Sequence, residues 1–209
     1  MAQARRAAGV TVPRTGARPP DAEISSLFQR GAEHFAKLVD SVQDERWYLP
    51  TPCEDWDVRE LVHHMVHELL WAPELFGGRT IAQVGDRFAG DLLGPDPTAT
   101  YRQATRLAIE AVTQPGAMDR TVHLSYGDVP GRHYAFEMAN DLWIHGWDLA
   151  RAVGADERMD PDAVEALHAF YQPLEPGLKA SGMFGPQLDP PPGADLQTKL
   201  LAVMGRRSW

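Results

Sequence analysis

Acidic and imidazole side chains recur at helical spacing within one apolar stretch of the chain. Residues 134–153 are mostly apolar, contain no proline and have one internal glycine, which predicts a buried helix. Glu137, Asp141 and His145 are each four residues apart and therefore share one helix face, and Asp148 lies beside the end of that line. Charged groups in a buried helix must be paired or bound to a metal. We therefore interpret Asp141 and His145 as two ligands of a metal site.

A third ligand is expected from another helix, because a catalytic divalent ion usually has three protein ligands and one open position. The helix predicted after residue 57 carries His63, His64 and His67, with Glu68 one turn after His64. At ~100° per residue, none of the three imidazoles points to the centre of the apolar face, and His67 points most nearly away from it. Periodicity alone therefore leaves His63 and His64 as alternatives.

Two segments of the chain resemble a known family. Residues 51–64, TPCEDWDVRELVHH, and residues 141–152, DLWIHGWDLARA, are similar to the actinobacterial DinB-like metal-binding proteins. These proteins are related to the N-terminal domain of mycothiol-dependent maleylpyruvate isomerase. Residues 195–206, DLQTKLLAVMGR, resemble the tail of the short members, so the resemblance covers roughly residues 22–209.

The resemblance implies which residues bind the metal. The family has a divalent ion held by one histidine of the second helix and a pair of ligands four residues apart on the fourth. Carried over to this chain, these ligands are His64, Asp141 and His145. The isomerases have glutamate where this chain has Asp141, and they have a separate C-terminal domain that we expect this chain to lack. The metal site is therefore expected here, whereas the specific isomerase reaction is not.

The predicted fold class is all-α, a DinB-like four-helix bundle with extra C-terminal helices and a short β-hairpin. Residues 1–20, rich in Ala, Arg, Gly and Pro, are expected to be a disordered tail, and residues 21–209 a single domain. Periodicity and capping residues predict long helices over 24–42, 57–71, 96–113 and 134–153, shorter ones over 160–171 and 195–204, and a hairpin within 121–131. The turn of this hairpin is expected at Gly127–Asp128, and Gly154 is expected to end the fourth long helix.

Composition excludes several classes of partner. The formal net charge of −9 argues against a nucleic-acid-binding surface. No apolar run approaches the ~18 residues of a membrane span. Cys53 is the only cysteine, so no internal disulfide can form, and the cytoplasm is the expected compartment. We interpret Cys53 as a small buried hydrophobe rather than a nucleophile or ligand. A homodimer is left open.

Three acids near the predicted ligands have alternative interpretations. Glu137 is a fourth ligand or an outer-shell acceptor, or else an acid favoured by the dipole at the start of its helix. Asp148 accepts a hydrogen bond from a metal-binding imidazole, or else pairs with Arg151, three residues on. Glu68 is a further candidate for the outer shell.

The function expected from these features is metal-dependent chemistry on a small molecule. The resemblance favours a thiol transferase or isomerase that uses mycothiol as co-substrate and acts on an organic electrophile. A lyase, cyclase or hydrolase that uses the ion as a Lewis acid without a thiol is the main alternative, and a non-catalytic metal-binding protein is the third. Two histidines and a carboxylate suit zinc, which is the expected ion, although nickel, iron and manganese accept the same ligands. No catalytic residue other than the ligands is assigned.

Overall fold

The computed structural model describes residues 19–174 and 188–209. The predicted disordered tail, residues 1–20, lies outside the described residues except for its last two positions. Contacts divide the described chain into two compact units, which comprise residues 21–157 and residues from 158 onwards. The prediction of a single domain over residues 21–209 stays a prediction.

Four long helices form the first unit. Its elements are α1 (Asp21–Asp40), α2 (Val58–Phe76), α3 (Ile81–Val84), α4 (Pro97–Thr113), β1 (Thr121–Leu124), β2 (Gly127–Pro130) and α5 (Gly131–Val153). Helix α1 packs on α4 and α5, and α2 packs on the same two helices, so the four close into a ring around the core. This arrangement confirms the predicted all-α four-helix bundle.

The start of α2 follows the predicted capping chemistry, but its end does not. The Asp57 side chain accepts a hydrogen bond from the Glu60 amide, and the Glu60 side chain accepts one from the Asp57 amide, both at 2.9 Å. The helix was expected to end near residue 71, before Pro73. It continues instead to Phe76, because Leu75 and Phe76 are fully buried and their burial offsets the hydrogen bond that the proline removes.

Helices α2 and α5 run antiparallel in a defined register. The rings of Phe76 and Tyr134 lie 5.5 Å apart at one end of the pair. The rings of His64 and His145 lie 5.1 Å apart further along. These two contacts are separated by nearly the same number of residues on each helix. Residues one turn after His64 on α2 are therefore level with residues one turn before His145 on α5.

The hairpin and the ends of α5 agree with the predicted elements, with two shifts. Strands β1 and β2 pair antiparallel, and the turn between them falls at Ser125–Tyr126 rather than at Gly127. Helix α5 begins at Gly131, three residues before the predicted start. A side chain there would collide with the Ala117 carbonyl, so the tight entry requires glycine. At the other end, Gly154 adopts the left-handed conformation (φ 68°) predicted to terminate the helix.

The second unit contains two helices within its described residues. They are α6 (Pro161–Tyr171) and α7 (Leu196–Val203), which pack against each other. Asp160 and Asp195, where the sequence predicted these helices to start, cap their first turns. These are the expected extra C-terminal helices. Among the described residues, no helix is both long enough and apolar enough to cross a membrane.

Candidate functional site

A tight loop before α2 forms one wall of the candidate site. The ends of this loop, residues 50–57, pair with each other through a β-bridge. Within it, the Thr51 amide and hydroxyl both donate to the Trp56 carbonyl, at 3.0 and 2.9 Å. Asp55 adopts a left-handed conformation (φ 70°) that lets the chain reverse. The loop thereby fixes Cys53 and Trp56 against the side chains of α5.

Two of the predicted ligands meet beneath this loop. The imidazole rings of His64 on α2 and His145 on α5 lie 5.1 Å apart, edge to face. The indole ring of Trp56 lies 4.8 Å from the first imidazole and 5.9 Å from the second. The structure therefore brings together two histidines that are far apart in the sequence, and an aromatic ring covers both.

Asp148 holds one nitrogen of His145. The Nδ1 atom of His145 lies 2.9 Å from Oδ2 of Asp148, which is fully buried. The thiol of Cys53 donates to the same oxygen at 3.2 Å. Arg151, the alternative partner predicted for Asp148, pairs instead with Glu157 at 3.1 Å. Of the two interpretations of Asp148, the geometry supports the contact with a candidate metal-binding imidazole.

The surroundings of His145 favour its charged form when no metal is bound. Burial by itself lowers the pKa of His145. The hydrogen bond to Asp148, the neighbouring Cys53 sulfur and the negative charge of Asp148 oppose this effect and outweigh it, raising the pKa from the ordinary 6.5 to about 10. A metal ion that binds His145 must therefore displace a proton from this ring.

The residues present fit a divalent ion. Because Nδ1 of His145 is engaged by Asp148, its Nε2 atom is left for a ligand, and no described residue hydrogen-bonds to it. A metal-binding histidine usually donates its second N–H to a carboxylate in this way. His64 supplies a second imidazole close by. The arrangement can bind one cation with its outer shell already in place.

Two of the three remaining acids predicted near the ion lie at one level of the bundle. Asp141 is half-buried and comes one turn before His145. Glu68 is buried, 6% exposed, and comes one turn after His64. By the antiparallel register of α2 and α5, Glu68 is level with Asp141. The structure therefore places a carboxylate on each helix within one turn of the imidazole pair.

Glu137 belongs to a different cluster, here called the hairpin cluster: Tyr126, His133 and Glu137. The Tyr126 hydroxyl donates to one carboxylate oxygen of Glu137 at 2.6 Å, and Nε2 of His133 lies 3.2 Å from the other. Tyr126 comes from the turn of the β-hairpin. Both oxygens of Glu137 thus have partners, one from the hairpin and one from the same end of α5. Its predicted role as a ligand or outer-shell acceptor stays a prediction.

The other two histidines of α2 each make a hydrogen bond that accounts for a histidine at that position. Nε2–H of His63 donates to the Gly90 carbonyl at 2.9 Å. Nε2 of His67 accepts a hydrogen bond from the Trp71 indole at 3.0 Å, and its ring is partly buried rather than turned to solvent as expected. Neither contact involves α5. The choice of His64, which the sequence periodicity left open, agrees with these placements.

Residues 28–150 match the family described as the mycothiol maleylpyruvate isomerase N-terminal domain. The chain belongs to this family. It is 31% identical over 185 residues to uncharacterized proteins from two strains of Mycobacterium tuberculosis, a similarity that covers 85% of this chain and 94% of theirs.

Solved structures of a related enzyme share the fold. The crystal structure of the mycothiol-dependent maleylpyruvate isomerase superposes with a TM-score of 0.57 at 19% identity, covering 71% of this chain and 68% of that one. A variant of that isomerase with one histidine replaced by alanine gives the same TM-score and coverage at 16% identity. At these identities the likeness establishes a common fold, in agreement with the DinB-like bundle.

The contact of Cys53 with the candidate site was not predicted from the sequence of this family member. The lone cysteine was interpreted as a small buried hydrophobe, but it is partly exposed and hydrogen-bonded to Asp148. Its place in a Thr-Pro-Cys turn directly before a helix start was the only available signal. That signal does not reveal a partner almost a hundred residues away. Trp56, which covers the histidine pair, was likewise not among the predicted site residues.

Proposed function

We propose that this protein binds one divalent ion through His64, Asp141 and His145, with one position open to a small molecule. The observation that carries the proposal is the pairing of His64 with His145 while Asp148 engages Nδ1 of His145. Two imidazoles and a carboxylate suit zinc, and they also accept nickel, iron or manganese. We propose Glu68, which is level with Asp141, as a further carboxylate near the ion.

We propose further that the reaction is a thiol-dependent transfer or isomerisation of a small organic electrophile, with mycothiol as co-substrate. A bound divalent ion supplies the chemistry by lowering the pKa of a thiol that reaches its open position. The chain supplies orientation and shielding. Asp148 fixes the His145 ring, and the indole of Trp56 covers the imidazole pair and limits the access of water to it. Family membership favours this reaction class over others.

A second function is favoured by one specific observation. Glu68 is a buried carboxylate level with Asp141, and a carboxylate near a metal can act as the general base for attack by water. This placement supports a lyase, cyclase or hydrolase that uses no thiol. The burial of Glu68 is the observation that favours this alternative.

Metal content of purified variants tests the site. The wild-type protein is expected to carry about one divalent ion per chain. His64→Ala and Asp141→Ala should lose most of the bound metal, as measured by inductively coupled plasma mass spectrometry. His63→Ala is the matched control, since His63 neighbours His64 on the same helix but contacts Gly90. Full occupancy in the His64 and Asp141 variants would contradict the ligand set.

Cobalt-substituted protein distinguishes the two reaction classes. Adding mycothiol should produce a sulfur-to-cobalt charge-transfer band if the thiol occupies the open position. The titration should be repeated at saturating cobalt in Cys53→Ala, because the Cys53 sulfur lies only 3.7 Å from Nδ1 of His145. Glu68→Gln should keep the band. No band at saturating thiol, with substrate turnover that requires Glu68 in thiol-free buffer, would favour the thiol-independent reaction, and metal binding without either would indicate a non-catalytic protein.

A further inference from the structure

Cys53 and Asp148 form a pair that meets His145 on one side of its ring. Oδ2 of Asp148 accepts hydrogen bonds both from Nδ1 of His145, at 2.9 Å, and from the thiol of Cys53, at 3.2 Å. The carboxylate is fully buried, three residues after the histidine on α5. The thiol reaches it from the tight loop before α2. A buried carboxylate needs such donors, and two of them fix the orientation of the oxygen.

Three roles are compatible with these residue types, and the geometry separates them. Cys53 could be a nucleophile activated by His145 and Asp148. Such a triad requires the imidazole to contact the nucleophile with one nitrogen and the orienting acid with the other. Here both Cys53 and Asp148 approach Nδ1 of His145. The thiol donates to the acid and does not contact the other nitrogen of the imidazole, and this geometry argues against a nucleophilic role.

A second role is direct coordination of a metal by this trio. The Cys53 sulfur, a His145 nitrogen and an Asp148 oxygen all lie within 4.8 Å of one another. A metal at this place would break both hydrogen bonds to the buried Asp148 oxygen. It would also occupy Nδ1, and the close approach of His64 to His145 would then take no part in binding the ion. The third role, orientation of the imidazole, keeps every observed contact.

We propose that Asp148 and Cys53 are positioning residues that hold His145 with Nδ1 protonated, so that Nε2 faces His64 and a metal ion. This inference rests on the proposed metal site and names the residues that set its affinity. Asp148 acts directly by accepting the Nδ1–H of His145. Cys53 acts through Asp148, by holding the carboxylate oxygen in the plane that this hydrogen bond requires. Neither residue touches the metal.

Metal affinity of single and double variants tests this order of action. Asp148→Asn should weaken metal binding about 10- to 100-fold, the usual cost of losing an outer-shell carboxylate. Cys53→Ala should weaken it less, by a factor of about 3 to 10, and Cys53→Ser should restore most of the loss because a hydroxyl also donates. In the Asp148→Asn background, Cys53→Ala should add little. An equal effect of Cys53→Ala in both backgrounds would overturn the proposed route through Asp148.

Two controls separate positioning from coordination and from unrelated losses. Asp128→Asn removes another aspartate that pairs with Nδ1 of a histidine, at 2.7 Å from His123, but on the exposed hairpin. It should leave metal affinity within about twofold of wild type, since the outer-shell effect requires contact with a ligand. Cobalt-substituted wild type without added thiol should show no sulfur-to-cobalt band. Such a band, lost in Cys53→Ala, would show that the sulfur is a ligand and overturn the inference.

Nuclear magnetic resonance of metal-free protein tests the positioning roles independently of the proposed metal function. The Nδ1 proton of His145 should be protected from exchange in wild type, less protected in Cys53→Ala and unprotected in Asp148→Asn. Protection with this pattern in a protein that binds no metal would sustain the positioning roles and refute the proposed metal function. If Asp148→Asn bound metal with wild-type affinity, the positioning roles would be refuted and the proposed metal function would be sustained. An unprotected Nδ1 proton in the wild type would overturn the inference by itself.

Discussion

Helix α5 carries two histidine–carboxylate pairs that use their imidazoles in opposite ways. At one end of the helix, His133 contacts Glu137 through Nε2, the atom at the tip of the ring. At the other, His145 contacts Asp148 through Nδ1, the atom closest to its own backbone. His133 thus holds Glu137 with Nε2, the ring nitrogen that lies farther from its backbone. The ring of His145 is held at Nδ1, and it lies 5.1 Å from that of His64 on another helix.

The partners of the two carboxylates reinforce this difference. Glu137 also accepts from Tyr126, so the hairpin cluster fastens the β-hairpin to α5. A two-stranded hairpin with four-residue strands needs such support, because it is marginal in isolation. Asp148 accepts its second hydrogen bond from Cys53, in the loop that also places Trp56 over His64 and His145. Similar residue pairs therefore serve a structural end and, by our proposal, a binding end of one helix.

Replacing each histidine in turn gives the largest expected contrast. His145→Ala should weaken metal binding by more than ~100-fold, because loss of a ligand costs more than loss of an outer-shell partner. His133→Ala should leave metal affinity within about twofold. Isothermal titration calorimetry with zinc measures both. Comparable losses in the two variants would mean that the hairpin cluster belongs to the metal site after all.

The effect of metal on thermal stability should show the same contrast. Zinc at about 100 times its dissociation constant stabilises a folded protein by roughly 2.7 kcal/mol. Differential scanning fluorimetry should show a rise in Tm for wild type and for His133→Ala. His145→Ala should show little or no rise at that zinc concentration. A full shift in the His145 variant would place the stabilising ion elsewhere.

A smaller effect is expected from removing one hydroxyl of the hairpin cluster. Tyr126→Phe deletes a donor to the partly exposed carboxylate of Glu137 and should cost about 1 kcal/mol of unfolding free energy. Urea denaturation measures this change. Metal affinity should stay at the wild-type value. A large loss of metal affinity with unchanged stability would show that Tyr126 and Glu137 contribute to metal binding rather than to the structure.

The smallest effect is expected from a methyl group added beside the binding end. A Cβ at Gly146 would lie 3.3 Å from Cδ2 of His34, so the His34 ring must yield by a few tenths of an ångström. The gain of about 1 kcal/mol in helix propensity on replacing glycine with alanine offsets this strain. Gly146→Ala should therefore change stability by less than about 0.5 kcal/mol. A loss of several kcal/mol would show that α1 and α5 cannot shift at this crossing.

The fold was predictable because its signals are local. Apolar periodicity located the long helices, and capping residues such as Asp57, Asp96, Asp160 and Asp195 located their starts. The end of α2 was predicted wrongly, since the chain near Pro73 gives no sign of the burial that carries the helix to Phe76. The hairpin was placed correctly, but its turn was assigned two residues too late.

The site was predictable only in part, because several of its contacts join segments that are distant in the sequence. Spacing alone paired Asp141 with His145, and resemblance selected His64 from three histidines. Trp71 follows His67 by one helical turn, but the Gly90 carbonyl that His63 contacts is 27 residues away, and no sequence pattern points to it. Cys53 was missed for the same reason. The ligand set, the cytoplasmic location and a homodimer stay predictions of the sequence.

The tight loop of residues 50–57 and helix α2 are neighbours in sequence, whereas α5 follows only after α4 and the hairpin. Contacts with such long sequence separation form late in folding, because the entropy of closing the intervening chain must be overcome first. The loop and its helix can be ordered early, but His64 meets His145 only when the bundle has closed. Uptake of a metal ion at this pair would therefore serve as a kinetic marker for the last stage of assembly.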